Sequence, residues 1–233
     1  MIWILRWLVA LPALLVPTQE PGEIRGKVSL PEERAGSTRA AVRYPENVGR
    51  QRPKPPPPCP VVIYLEGVPA AAAAEGRAEI KQEGLQFHPR AVAIQRGMKV
   101  SFPNSDKDYH NVFSYSKPKR FDLGRYPEGE TREVTFEQPG IVKVYCEIHE
   151  HMRATILVID HSKYTTARED GTFALTGVPP GRYTLVAWHD RFEPVRHPVE
   201  VKAATPVQVE LKFARAGMDD AREVRAASCC GGR

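Results

Sequence analysis

The segment YCEIHEHM, at residues 145–152, holds three side chains that bind soft metal ions. Cys146 is followed by His149 three residues later and by Met152 three residues after that, and His110 lies 36 residues before Cys146. One thiolate, two imidazoles and one distant thioether are the donors of a copper site that transfers electrons. These residues therefore predict one type 1 (blue) copper site with His110, Cys146, His149 and Met152 as its ligands.

The spacing places these donors on two neighbouring loops. Residues 142–146 are predicted to end a strand, and residues 147–153 to form a tight loop before the strand 154–159, while His110 comes from a separate strand end. Mixed nitrogen and sulfur donors suit both Cu(II) and Cu(I), so the site can change charge with little change of geometry. One-electron transfer needs no substrate pocket and no general base. We therefore predict no catalytic residue and no enzyme activity.

Each donor has an alternative interpretation. Cys146 could be a buried core cysteine, because free cysteine packs as a small apolar side chain, and Met152 could simply fill a gap in the core. His151 is a rival donor, two residues after His149. We expect His151 to be a solvent-exposed neighbour of the site and His88 to be structural or exposed.

Residues 77–160 resemble a small cupredoxin of the plastocyanin and amicyanin family. The resemblance covers FHPRAVAIQRGMKVSFPNSDKDYHNVFS, FDLGRYPEGETREVTFEQPGIVKVYCEIHEHM and ATILVID. It implies a Greek-key β-sandwich that binds copper through the four donors named above, with Asn111 tying the two ligand loops together. The short Cys-x-x-His-x-x-Met loop is more similar to amicyanin than to plastocyanin, and similar bacterial proteins carry the label of methylamine utilisation proteins.

The rest of the chain also predicts strands. Short runs of alternating apolar and polar residues lie between turn residues, and proline is frequent, with 22 residues. Such runs are typical of an all-β sandwich protein. At 233 residues, the chain can hold one large or two small domains. The alanine run 70–74 is the best short helix candidate.

A second sandwich is predicted from the segment EDGTFALTGVPPGRYTLVAWHD, which reads as two strands around a Pro-Pro-Gly turn. It resembles the transthyretin-like sandwich of carboxypeptidase regulatory-like domains, whose opening strands would be 22–30 and 60–69. These two strands are too few to bury a core alone. We therefore expect the cupredoxin to be inserted into the second sandwich; the alternative is that the early strands pack independently. Trp188 and His189 are expected to finish a strand and to pack against the seam between the domains.

These predictions divide the chain into four parts. They are a signal peptide or short hydrophobic segment at 1–19, a regulatory-like sandwich at 20–76 plus 161–214 with a proline-rich loop at 31–58, a cupredoxin at 77–160, and a disordered tail at 215–233.

The N-terminus predicts export. Arg6 precedes an apolar run at 7–16, which is too short to cross a bilayer. We expect a periplasmic or otherwise extracytoplasmic protein with no transmembrane span in its mature form. A loosely anchored, uncleaved terminus is the alternative.

The cysteine count fits a metal-binding role for one of the four. If Cys146 binds metal, three cysteines remain, and an odd number cannot form only internal pairs. The three are Cys59 in a proline-rich stretch, and Cys229 and Cys230 in the tail.

Charge and motifs together define the predicted function. The net charge of +5 is spread along the chain, so a nucleic-acid partner has little support. We predict a carrier of single electrons between redox proteins, such as a c-type cytochrome or a dehydrogenase. The alternatives are a copper carrier without an electron-transfer role and a structural or interaction module.

Overall fold

The protein is built from strands throughout the part that the computed structural model describes, residues 20–31 and 59–214. The predicted all-β class is confirmed. Three predicted features fall outside the described residues: the segment 1–19, the proline-rich loop from residue 32 to 58, and the tail 215–233 with its two cysteines. The described residues hold no helix with the length and hydropathy needed to cross a membrane.

The strands of the described residues follow in chain order. They are β1 Gly22–Ser29, β2 Val62–Glu66, β3 Arg77–Glu79, β4 Lys81–Gln82, β5 Phe87–His88, β6 Ala91–Gln95, β7 Lys99–Pro103, β8 His110–Ser114, β9 Phe121–Tyr126, β10 Thr131–Thr135, β11 Gly140–Tyr145, β12 Arg153–Ile159, β13 Tyr164–Thr166, β14 Thr172–Val178, β15 Gly181–His189, β16 Phe192–Val201 and β17 Pro206–Lys212.

Strands β3 to β12 build the first sandwich. One sheet has the order β10-β7-β3 and the other the order β6-β12-β11-β8-β9. Alternating residues of these strands point into one core, as expected for sheets that are apolar on one face. The core includes Phe102, Tyr126, Phe136 and Ile156, all fully buried. This sandwich has the position predicted for the cupredoxin.

Strands from both ends of the described chain build the second sandwich. Its sheets have the orders β14-β1-β17 and β13-β2-β15-β16, and they share a core that includes Ile24, Leu65 and Leu185. Strand β1 therefore pairs with β14 and β17, which come after the first sandwich. These pairings support the predicted insertion, which remains a proposal together with its boundaries.

The alanine run 70–74 lies where the chain enters the first sandwich, and the helix suggested for it is wrong. Its backbone N–H groups bond outside the run: Ala71 donates to the carbonyl of Asp160 at 2.8 Å and Ala74 to that of Arg96 at 2.8 Å. A run of five residues is too short to form a stable helix by itself, so its N–H groups bond instead to carbonyls just after β12 and β6. The bond to Asp160 also joins the entry and exit of the first sandwich.

Strand β12 is buried on both faces. Ala154, Ile156 and Val158 belong to the core of the first sandwich, whereas Leu157 and Ile159 belong to a separate apolar cluster. We call this cluster the seam; it also contains Ala91 from the first sandwich and Cys59, Val62 and Trp188 from the second.

The polar contacts beside the seam also join the two sandwiches. Asp190, in the turn after β15, accepts hydrogen bonds from Lys143 of β11 and, at 2.8 Å, from Thr155 of β12. The predicted position of Trp188 in the seam is confirmed. His189 ends β15 as expected, but its ring contacts are with Phe192 and Phe213 of its own sandwich.

We expect Leu157→Ala to lower the free energy of unfolding by about 2–5 kcal/mol, because it empties space in the seam. Leu157 is 6% exposed. The matched control is Ile141→Ala, since Ile141 pairs with Leu157 across β11 and β12 but is 43% exposed. Unfolding by urea, followed by fluorescence and circular dichroism, measures both. Equal losses for the two variants would show that the seam adds no stability at Leu157.

Candidate metal centre

The donors lie at one end of the first sandwich because of how β8 and β11 pair. These strands are antiparallel neighbours with Tyr145 opposite Phe113. His110 is the first residue of β8 and Cys146 directly follows β11. In an antiparallel pair the start of one strand lies beside the end of the next, so the two side chains meet at the same edge.

Three of the four predicted ligands converge. The Nδ1 atom of His110 lies 3.9 Å from the sulfur of Cys146 and 3.1 Å from Nδ1 of His149. One possible ligand atom from each of the three residues lies within 4.8 Å of the others. His110 and Cys146 are buried, and His149 is half-buried. Within residues 20–31 and 59–214, this is the one group of three or more His, Cys, Asp or Glu side chains close enough to share an ion.

Met152 lies at the end of the same loop. Its N–H donates to the carbonyl of His149 at 2.9 Å, and its carbonyl accepts from the N–H of Cys146 at 3.4 Å. These bonds fold the loop back on itself and bring Met152 into the buried core that also contains Cys146. Burial fits both the axial ligand and the core-filling alternative, so its role as a ligand stays a prediction.

The two rival histidines lie outside the cluster. His151 is exposed, and its Nε2 atom donates to the carbonyl of Leu85 at 2.9 Å. His88 is half-buried, with Nε2 3.1 Å from the carbonyl of Glu83. Both positions agree with the expectation that neither side chain belongs to the donor set.

Asn111 ties the two ligand loops together, as the family resemblance implied. Its Oδ1 atom accepts a hydrogen bond of 2.6 Å from the N–H of Glu147, the residue after Cys146. Asn111 itself follows His110 and is 2% exposed. The bond therefore fixes the segment that carries Cys146 against the segment that carries His110.

The surroundings of Cys146 favour its thiolate form. Burial raises the pKa of the thiol, but hydrogen bonds to the His110 side chain and to three backbone N–H groups lower it by more, so its pKa lies below the ordinary value. Those N–H groups belong to Asn111, His149 and Ile148. The thiolate is the form of cysteine that binds metals.

Sequence reasoning missed Asp106, whose Oδ2 atom lies 2.9 Å from Nε2 of His110. Burial lowers the pKa of His110, but its bonds to Cys146 and Asp106 raise it above the ordinary value. The sequence could have indicated a carboxylate near the ring, because Asp106 stands four residues before His110 in the turn segment NSDKDYH. What the sequence did not show is which of the two Asp residues in that turn reaches the ring.

The residues fit a copper ion. A thiolate and two imidazoles in a mostly buried pocket match its preference for soft sulfur and for nitrogen. Residues 74–159 match the family model for copper binding proteins of the plastocyanin/azurin family, and residues 152–214 match that for the carboxypeptidase regulatory-like domain. Both resemblances predicted from the sequence are therefore confirmed. The copper family match and the His-Cys-His cluster within it also confirm the predicted cofactor, copper.

Similar solved structures include a cupredoxin and an amicyanin. One is a purple cupredoxin from Nitrosopumilus maritimus, with 24% identity, a TM-score of 0.32, and coverage of 35% of this chain and 99% of that chain. Another is amicyanin from Paracoccus versutus, with 23% identity, a TM-score of 0.33, and coverage of 40% of this chain and 86% of that chain.

A larger protein is also among the similar structures, the copper-containing nitrite reductase from Thermus scotoductus SA-01. It has 25% identity and a TM-score of 0.36, with coverage of 42% of this chain and 26% of that chain. The match thus spans about a quarter of the reductase.

We expect Asn111→Ala to lower the free energy of unfolding by about 1–3 kcal/mol, because the part-buried N–H of Glu147 loses its acceptor. The control is Glu147→Ala, which removes an exposed side chain but keeps the N–H group, and which should cost less than about 1 kcal/mol. Urea unfolding of the metal-free protein measures both. A loss for Glu147→Ala as large as that for Asn111→Ala would contradict the role of this bond.

Proposed function

We propose that this protein is a type 1 copper protein that carries single electrons between redox proteins outside the cytoplasm. His110, Cys146, His149 and Met152 would hold the ion. The observation that carries the proposal is the convergence of one sulfur and two imidazole nitrogens, from separate loops, at a buried edge of the first sandwich.

The protein supplies a donor set that is already in place. Several N–H groups lower the pKa of the Cys146 thiol, and its loop is closed by backbone bonds and by the bond to Asn111. Bound copper supplies a one-electron couple, Cu(II)/Cu(I). Because the donors are fixed by the protein, they move little when the charge of the site changes. Small rearrangement favours fast electron transfer.

Electrons would enter and leave through the ring of His149. It is the one half-buried member of the cluster, whereas His110 and Cys146 are buried. Two large apolar side chains near it are exposed: Ile148, which precedes His149, is 39% exposed, and Tyr109, which precedes His110, is 57% exposed. Contiguous exposed apolar patches mark surfaces that contact other proteins, and we propose that these two side chains belong to such a surface. A c-type cytochrome or a dehydrogenase that docks here would bring its redox group close to His149.

A buried donor set favours electron transfer over delivery of copper to another protein. A protein that delivers copper must release its ion, so it needs donors that a partner can reach and replace. Here His110 is fully buried and Cys146 is 4% exposed. Both observations support a resident ion.

An electron carrier is also favoured over an enzyme. The part of the chain covered by residues 59–214 offers a single donor cluster, which leaves no second metal centre there to act on a substrate. The export pattern at 1–19 supports a location outside the cytoplasm.

Addition of one equivalent of Cu(II) to the purified protein is expected to give an intense blue or purple colour, because charge transfer from a thiolate to Cu(II) is strong in such sites. Cys146→Ser should abolish the colour, and His151→Ala should leave it unchanged. Visible absorption and electron paramagnetic resonance report both. A pale wild-type complex, or a colourless His151→Ala variant, would refute this ligand assignment.

Electron exchange with a c-type cytochrome, measured by stopped flow, should distinguish electron transfer from copper storage. We expect Ile148→Lys to slow the exchange about tenfold, the effect of losing a contact worth about 1.4 kcal/mol, without changing the colour. The control is Ile141→Lys, since Ile141 is similarly exposed, at 43%, but lies at the other end of β11 from Cys146. Equal effects of the two variants would place the docking surface elsewhere, and no exchange in the wild type would favour storage.

A further inference from the structure

We propose that Asp106 is a positioning residue of the copper site. It fixes the ring of His110 in one orientation and one tautomer, and it makes that ring a stronger donor to Cu(II). The inference rests on the proposed copper function, and its first test does not require copper.

The contact between Asp106 and His110 determines which ring nitrogen is free. Nε2 of His110 lies 2.9 Å from Oδ2 of Asp106. A carboxylate can only accept, so Nε2 carries the hydrogen, and Nδ1 of the neutral ring keeps its lone pair. Nδ1 is the atom that faces Cys146, at 3.9 Å, and His149, at 3.1 Å. One hydrogen bond thus sets both the direction of the ring and the nitrogen available to the ion.

The carboxylate of Asp106 is itself held in place. Its Oδ1 accepts from the N–H of Gly84 at 2.6 Å, and its Oδ2 accepts from the N–H of Leu85 at 2.9 Å. Its own N–H donates to Oδ1 of Asn104 at 2.9 Å. With both oxygens bonded, the carboxylate cannot rotate away from His110 without breaking other bonds.

The turn that supplies these N–H groups contains a leucine in a strained backbone conformation. Gly84 and Leu85, between β4 and β5, both have positive φ, at 63° and 59°. A leucine in this left-handed region is strained, and such conformations persist where surrounding contacts enforce them. Here the turn gives two N–H groups to Asp106 and the carbonyl of Leu85 to His151. It therefore clamps both loops that carry the proposed ligands.

The charge of Asp106 adds an electronic effect. A carboxylate that accepts from the outer nitrogen of a ligand imidazole makes the ring more basic, and loss of such a partner typically lowers metal affinity 10–100-fold. A more basic ring stabilises Cu(II) more than Cu(I). We therefore expect removal of this charge to raise the reduction potential of the site.

The variants separate the hydrogen bond from the charge. Asp106→Ala removes both, and Asp106→Asn keeps an oxygen acceptor of the same size but loses the charge. Asp108→Asn is the control, because it makes the same charge change in the same turn from an exposed side chain. Circular dichroism and urea unfolding establish which variants fold. If Asp106→Ala does not fold, Asp106→Asn tests the proposal.

The first measurement is the tautomer of His110 in the metal-free protein, from nitrogen-15 NMR of its ring. In its neutral form, the ring should carry hydrogen on Nε2 and a lone pair on Nδ1 in the wild type and in Asp108→Asn. Asp106→Ala should show a mixture of tautomers, and Asp106→Asn a smaller change. An unchanged tautomer in every folded Asp106 variant would overturn the positioning role.

The second measurement is the affinity for Cu(II), by competition with a chelator, together with the reduction potential. We expect a 10–100-fold loss of affinity for Asp106→Ala, a smaller loss for Asp106→Asn, and a higher potential for both. Asp108→Asn should change each quantity less than Asp106→Asn does. Equal effects of Asp106→Asn and Asp108→Asn would overturn the electronic part of the proposal. If the wild type binds no copper, the proposed function fails, and the tautomer measurement alone decides the role of Asp106.

Discussion

The metal centre depends on Asn111, whose Oδ1 accepts from the N–H of Glu147 and whose own N–H donates to the sulfur of Cys146. The donors come from two segments that are far apart in sequence, and the ladder between β8 and β11 brings these segments together only up to Tyr145. Beyond that residue the chain leaves the sheet, so some other contact must hold Cys146 against His110. A buried side-chain acceptor does this without a metal ion, because both of its partners belong to the protein.

The second sandwich stabilises the strand that follows the ligand loop. Strand β12 starts directly after Met152 and is covered on one face by the core of the first sandwich and on the other by the seam. A strand buried on both faces has little freedom to shift, because interiors are close-packed. The loop from Cys146 to Met152 is thus held between two fixed strands, β11 and β12. This gives the regulatory-like sandwich a mechanical connection to the copper end, although it supplies no donor to the cluster.

Donor residues that are close in sequence could be predicted, and contacts set by tertiary structure could not. Cys146 and His149 could be identified as candidate donors because residue type and spacing within one loop already imply a shared ion. Asp106 was missed because its role depends on a turn at Gly84 and Leu85, more than twenty residues upstream, whose N–H groups orient the carboxylate. The apolar run of β12 could be predicted as a strand. The burial of its second face could not, because it depends on how the two sandwiches pack. The alanine run failed as a helix for the same reason, since its N–H groups bond to distant carbonyls.

The geometry of the donors also explains why the ion and the fold depend on each other. Two ring nitrogens face each other at 3.1 Å beside a buried sulfur. Without an ion, the two nitrogens can be joined only by one hydrogen. Because the hydrogen of a neutral His110 ring is on Nε2, where Asp106 accepts it, His149 is the donor in this pair. An ion in this position replaces that single hydrogen bond with bonds to the three proposed donors. Because the unfolded chain offers no such arrangement, the binding energy of copper adds directly to the stability of the folded state. A site that is fixed in advance and completed by its ion serves retention of copper, which is what the proposed role in electron transfer requires.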